Sequence, residues 1–154
     1  MIMENNKATL ETLNDLIQIN NDRIAGYENA IGEIKDDAEL KSVFTTKILE
    51  SQQFKSTLVR EIEVLGRDAD NDTSISGKLH RSWLDIKATF SGHSDKSILE
   101  ECEFGDNAMR KTYQSALNEE HLPAYIRDIL NDQLSILQQS IDEIRALRDS
   151  VEHD

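Results

Sequence analysis

Residues 10–34 read LETLNDLIQINNDRIAGYENAIGEI, and within them Leu10, Leu13, Ile17, Asn20, Ile24, Tyr27, Ile31 and Ile34 recur three and four residues apart. That interval returns side chains to one side of an α-helix, and a stripe this narrow is a coiled-coil-like seam. Glu11, Asp15, Asp22, Arg23, Glu28 and Glu33 fall around these positions, which puts charge on the flanks and outer face. The spacing predicts a helix of about 25 residues that hides one side against other helices.

The same periodicity continues downstream. Asp36 with Glu39 three residues on can cap the free amides of a new helix from both directions, so a tight turn is expected between the first and second helices. Leu40, Phe44, Phe54, Leu58, Ile62 and Leu65 form the apolar side of the second helix, with Lys47 and Ser51 at mid-seam, and Gly66 ends it. Leu99, Cys102, Asp106, Met109, Tyr113 and Ala116 mark a further long helix starting near Ser94 or Asp95. Pro123 suits the first turn of the last helix, where its missing amide would be unpaired anyway. Ile126, Leu130, Gln133, Leu137, Ser140, Ile144, Leu147 and Val151 are the seam of that helix.

Between the second and third long helices, residues 66–73 read as a polar loop. Asp68, Asp70 and Asp72 alternate there as calcium ligands can, but the turn glycine and terminal Glu of a helix-loop-helix calcium site are missing. Ile75, Leu79, Trp83, Ile86 and Phe90 then predict a shorter amphipathic helix, bracketed by His80 and His93, which have no partner at metal-ligand spacing. Burial of Trp83 and Phe90 against the core is expected, because the stripe would otherwise leave a large exposed patch.

Two hairpins of long helices can hide their stripes only against each other, which gives an all-α four-helix bundle. A connection over 66–96 is long enough to travel the length of the bundle. It would give up-down-down-up order with one crossover, as in ferritin-like folds, with the short helix inside the crossover. The first turn near Asp36, the start of the third long helix and the end of the last one should then share one end. Glu28, Glu50, Glu103 and residues 138–141 should lie at similar depth.

The chain has 154 residues, 38% of them hydrophobic and 5% aromatic, with one proline. One helical domain over 1–154, with residues 1–7 as a flexible N-terminus, accommodates this composition. A net charge of −13 repels phosphate backbones and anionic headgroups, so nucleic-acid and membrane-surface partners are not expected. No apolar run approaches the roughly 18 residues that span a bilayer, and Met1 to Asn6 lack a basic start and apolar stretch; the expected location is cytoplasmic. The lone Cys102 has no disulfide partner within the chain and reads as a small core residue.

Carboxylate-bridged di-metal bundles take a Glu from each of two helices and a Glu-x-x-His pair from each of the other two. Glu28, Glu50 and Glu103 are the candidate metal ligands here, with Asp106 nearby. The histidines are missing, because Gln53 follows Glu50 at that spacing and Ile141 follows Gln138. Lys47, one turn before Glu50, is a candidate for offsetting buried carboxylate charge in place of a metal. Asn20, Gln133 and Ser140 are expected either to fix helix register through a buried hydrogen-bond network or to line a pocket, with register favoured. No Ser-His-Asp set or phosphate-binding glycine loop is present.

The stretches Leu13-Asn14-Asp15-Leu16-Ile17, Tyr27-Glu28-Asn29-Ala30, Ser76-Gly77-Lys78-Leu79-His80-Arg81-Ser82-Trp83-Leu84-Asp85-Ile86-Lys87 and Ile98-Leu99-Glu100-Glu101-Cys102-Glu103 resemble an uncharacterised bacterial four-helix-bundle family of the ferritin-like superfamily. The resemblance covers roughly residues 8 to 150 and implies the ferritin-like fold, without an established activity. Relatives often carry His where Ile141 stands, so the resemblance implies that metal chemistry is weakened in this chain. The expectation is a non-catalytic bundle without a cofactor that acts through protein contacts, as a homo-oligomer or with a protein partner. The alternative is an iron- or manganese-binding, oxidase-like protein using Glu28, Glu50 and Glu103.

Overall fold

The computed structural model describes residues 2–65 and 94–151, with side chains from residue 6 onward. The expected loop and short helix between residues 66 and 93, with Trp83 and both bracketing histidines, lie outside the described residues. Four helices are present: α1 (Ile2–Glu33), α2 (Ala38–Val64), α3 (Asp95–Leu117) and α4 (Ala124–Val151). Among the described residues there is no strand, and no helix is long and apolar enough to cross a membrane.

Helix boundaries follow local chemistry. The Asp37 side chain accepts the Leu40 amide at 2.9 Å and caps α2, so the cap lies one residue beyond the expected Asp36. Asp37 is the residue whose side chain can turn back onto an amide three positions on, and Glu39 is exposed. Ser94 caps α3 in the same way through the Ser97 amide at 3.1 Å. The Pro123 carbonyl accepts the first backbone bond of α4, from the Arg127 amide. Helical backbone in α1 continues upstream of Leu10 to Ile2.

α1 packs against α2 and α3, and α4 packs against α3 and α2, so the helices occupy the corners of a four-sided bundle. Pairs of named contacts fix the directions. Tyr27 meets Phe44 with ring centroids 5.2 Å apart and Arg23 meets Glu50, so α1 and α2 are antiparallel. Asn20 with Tyr113 and Thr12 with Glu119 make α1 and α3 antiparallel too. Tyr113 with Gln133 and Glu103 with Arg145 do the same for α3 and α4. α2 and α3 therefore point the same way. Asp95 stands beside Asp37, which puts the α1–α2 turn and the start of α3 at one end.

The core is continuous along the bundle, with Leu13, Phe44, Leu58, Ile62, Ile98, Leu99, Met109, Tyr113, Leu130, Leu137 and Ile144 among its fully buried members. Each large apolar side chain removed from water in this way contributes about 1.5–3 kcal/mol. In α2 the buried set is Leu40, Phe44, Lys47, Ser51, Phe54, Leu58 and Ile62, the expected stripe with both polar members included. In α1 the face differs from the expected seam. Leu10, Ile24 and Ile31 are only half-buried, whereas Leu16, Ile19, Arg23 and Ala30 are buried. A two-stranded seam is too narrow for a helix with two packed neighbours, and α1 turns a second stripe, three and four residues apart like the first, into the bundle. Arg23 belongs to that second stripe. It is not a flank residue, and neither are Asp15 and Asp22, which are also buried.

Candidate functional site

At mid-depth the bundle holds a charged layer drawn from all four helices. Arg23 of α1 is fully buried, and burial of a guanidinium is tolerable only when every donor is met by an acceptor and the charge is opposed. Both conditions hold. Nε donates to Asp106 Oδ1 at 2.9 Å and Nη2 to Asp106 Oδ2 at 3.4 Å. Nη1 donates to Glu50 Oε1 at 2.9 Å and to Ser51 Oγ at 3.0 Å, and Nη2 also donates to Ser140 Oγ at 3.1 Å. These five contacts match the donor capacity of a guanidinium. The Tyr27 hydroxyl adds a 2.7 Å bond to Asp106 Oδ2, and the guanidinium carbon lies 5.4 Å from the centroid of the Tyr27 ring.

The electrostatics follow from this packing. Burial by itself would lower the Arg23 pKa, but the facing Asp106 carboxylate, followed by Tyr27 and Glu50, raises it above the ordinary arginine value, so the charge is permanent. The Tyr27 phenol is pushed well up, first by burial and then by the Asp106 charge. Cys102 is also pushed well up, by burial first and Asp106 next, and behaves as a buried, protonated core residue.

About one turn toward the N-terminus of α1 lies a neutral layer. Asn20 Nδ2 donates to the Tyr113 hydroxyl at 3.1 Å and to the Leu16 carbonyl at 2.8 Å. The Tyr113 hydroxyl donates to Gln133 Oε1 at 2.6 Å, and Gln133 Nε2 reaches the Phe54 carbonyl at 3.2 Å. Burial raises the Tyr113 pKa. Asn20 and Gln133 thus sit in one buried hydrogen-bond network that touches all four helices, and Ser140 in the charged layer beside it.

The residues expected as metal ligands are not brought together. Glu28 is exposed on the outer face of α1. Glu50 is the acceptor for Arg23 Nη1. Glu103 is held by Arg145, at 2.9 Å from Nε, and by Arg148. Among the described residues, no group of three or more His, Cys, Asp or Glu side chains is arranged to hold a metal ion. The central carboxylates do not fit a dication as placed, because a guanidinium already takes both Asp106 oxygens and one from Glu50.

Lys47 is buried, 3% exposed, as its mid-seam position required. Its ammonium pairs with Glu143 of α4 and not with Glu50. Arg23 is the cation that offsets Glu50, and sequence reading placed it on the flank. The signal was Asp106, a carboxylate squarely on the apolar stripe of α3 that needs a buried cation opposite it.

A smaller cluster closes the other end. Thr12 Oγ1 donates to Glu119 Oε1 at 2.7 Å and lies 3.4 Å from His121 Nε2. Arg127 caps the end of α3 through the Leu117 and Glu119 carbonyls.

A family model described as "domain of unknown function (DUF2383)" matches residues 8–119, more than two thirds of the chain. The chain belongs to the DUF2383 family. No curated protein matches it. The DUF2383 match takes in α1 from residue 8 onward, α2 and α3, and with them Arg23, Tyr27, Glu50, Ser51 and Asp106. Of the charged layer only Ser140, on α4, falls beyond it.

Proposed function

We propose that this DUF2383 protein is a ferritin-like bundle, with a single crossover between α2 and α3, that works through protein contacts and not through catalysis. In this reading Arg23 stands at the centre of the bundle as a fixed positive charge where a metal-dependent bundle would use an exchangeable cation. The carrying observation is the ion pair of Arg23 Nε with Asp106 Oδ1 at 2.9 Å, both side chains fully buried. A permanently charged guanidinium whose donors are all engaged does not transfer protons, and it takes both Asp106 oxygens and one of the two on Glu50. The incomplete Glu-x-x-His set at Glu50 with Gln53 and at Gln138 with Ile141 points the same way. The lone cysteine is compatible with a cytoplasmic setting, and the net charge of −13 disfavours nucleic acid as a partner.

Elemental analysis of protein purified without added metal, combined with its mass in solution, tests this directly. The expected result is only traces of iron and manganese, with a mass that is a multiple of the chain or includes a co-purified protein. About one or two ions per chain, the loading of a carboxylate-bridged site, would overturn it, and loss of that metal in Glu50→Ala would then locate the site.

A further inference from the structure

We draw no further inference here: the strongest candidate, the apolar surface that Tyr125 and Ile136 leave exposed along α4, is a helix face without a partner among the described residues, and nothing in the structure shows what covers it.

Discussion

Arg23 and Asp106 face each other across the α1–α3 interface, Nε 2.9 Å from Oδ1, with neither side chain reaching solvent. Such a pair is worth little relative to a well-packed apolar replacement, yet removing one partner strands a charge in a low-dielectric interior. The two facts together make the pair a test of the whole layer.

Arg23→Ala should therefore lower the unfolding free energy by about 3–5 kcal/mol. The double variant Arg23→Ala with Asp106→Ala should lose less than the sum of the two single losses, although Glu50, Ser51, Ser140 and Tyr27 still lose a partner in it. Urea unfolding of the wild type, both single variants and the double variant measures the coupling. If the Arg23→Ala protein unfolds at the wild-type midpoint, the guanidinium is not in the core. Methylguanidinium at concentrations far below denaturing should raise the midpoint of Arg23→Ala and leave the wild type unmoved, since only the variant has a vacated guanidinium socket.

Tyr113→Phe deletes the hydroxyl that accepts from Asn20 and donates to Gln133. Both amides would be left short of a partner inside the bundle, at a cost of about 1–3 kcal/mol. Adding Asn20→Leu to Tyr113→Phe should be much less than additive, because Asn20 and Tyr113 form one connected network. Additive losses in chemical denaturation would mean that the Asn20–Tyr113 bond at 3.1 Å carries no coupling.

Asp95 supplies a pH dependence. Its pKa is raised, by partial burial first and by Asp37 second. A raised carboxyl binds its proton more tightly in the folded state, so this group adds stability as pH falls through its folded pKa and withdraws it as pH rises. Asp95→Asn should consequently gain on the wild type between acidic and neutral pH, with the difference vanishing at the acid end. Thermal melts of both proteins across that range check the sign, and a difference that grows toward acid would contradict the placement beside Asp37.

Burial pushes the Cys102 thiol and the Tyr27 and Tyr113 phenols up. Cys102 should react with a thiol reagent only as fast as the bundle opens, and the rate should jump in denaturant. In alkaline titration followed at the phenolate absorbance, Tyr27 and Tyr113 should ionise together with loss of helical circular dichroism. Prompt labelling of native protein would place Cys102 outside the core.

The helices were legible because each carries a repeating apolar stripe, and in α2 even the polar interruptions at Lys47 and Ser51 were read on the buried side. Arg23 was not, because a charged residue next to a clean seam normally lies at the edge of the buried face. Only the requirement to contact two neighbouring helices rotates α1 far enough to draw Leu16, Ile19, Arg23 and Ala30 inward. The partner of Lys47 was equally hidden. One turn of helix brings Glu50 near it in sequence, yet the α2–α4 pairing offers Glu143 instead, and that choice depends on how the two hairpins dock. Asp106 held the clearest hint, since a carboxylate amid Leu99, Cys102, Met109 and Tyr113 has to be answered by a cation.

The charged and neutral layers together give the bundle a mechanical character. Sliding α1 past its neighbours by a turn moves its side chains about 5.4 Å, enough to break the bonds that Arg23 and Asn20 make to other helices, whereas an all-leucine interior would re-engage at the next notch. Arg23, bonded to α2, α3 and α4, and Asn20, bonded to α3, therefore single out one axial position of α1 in the bundle.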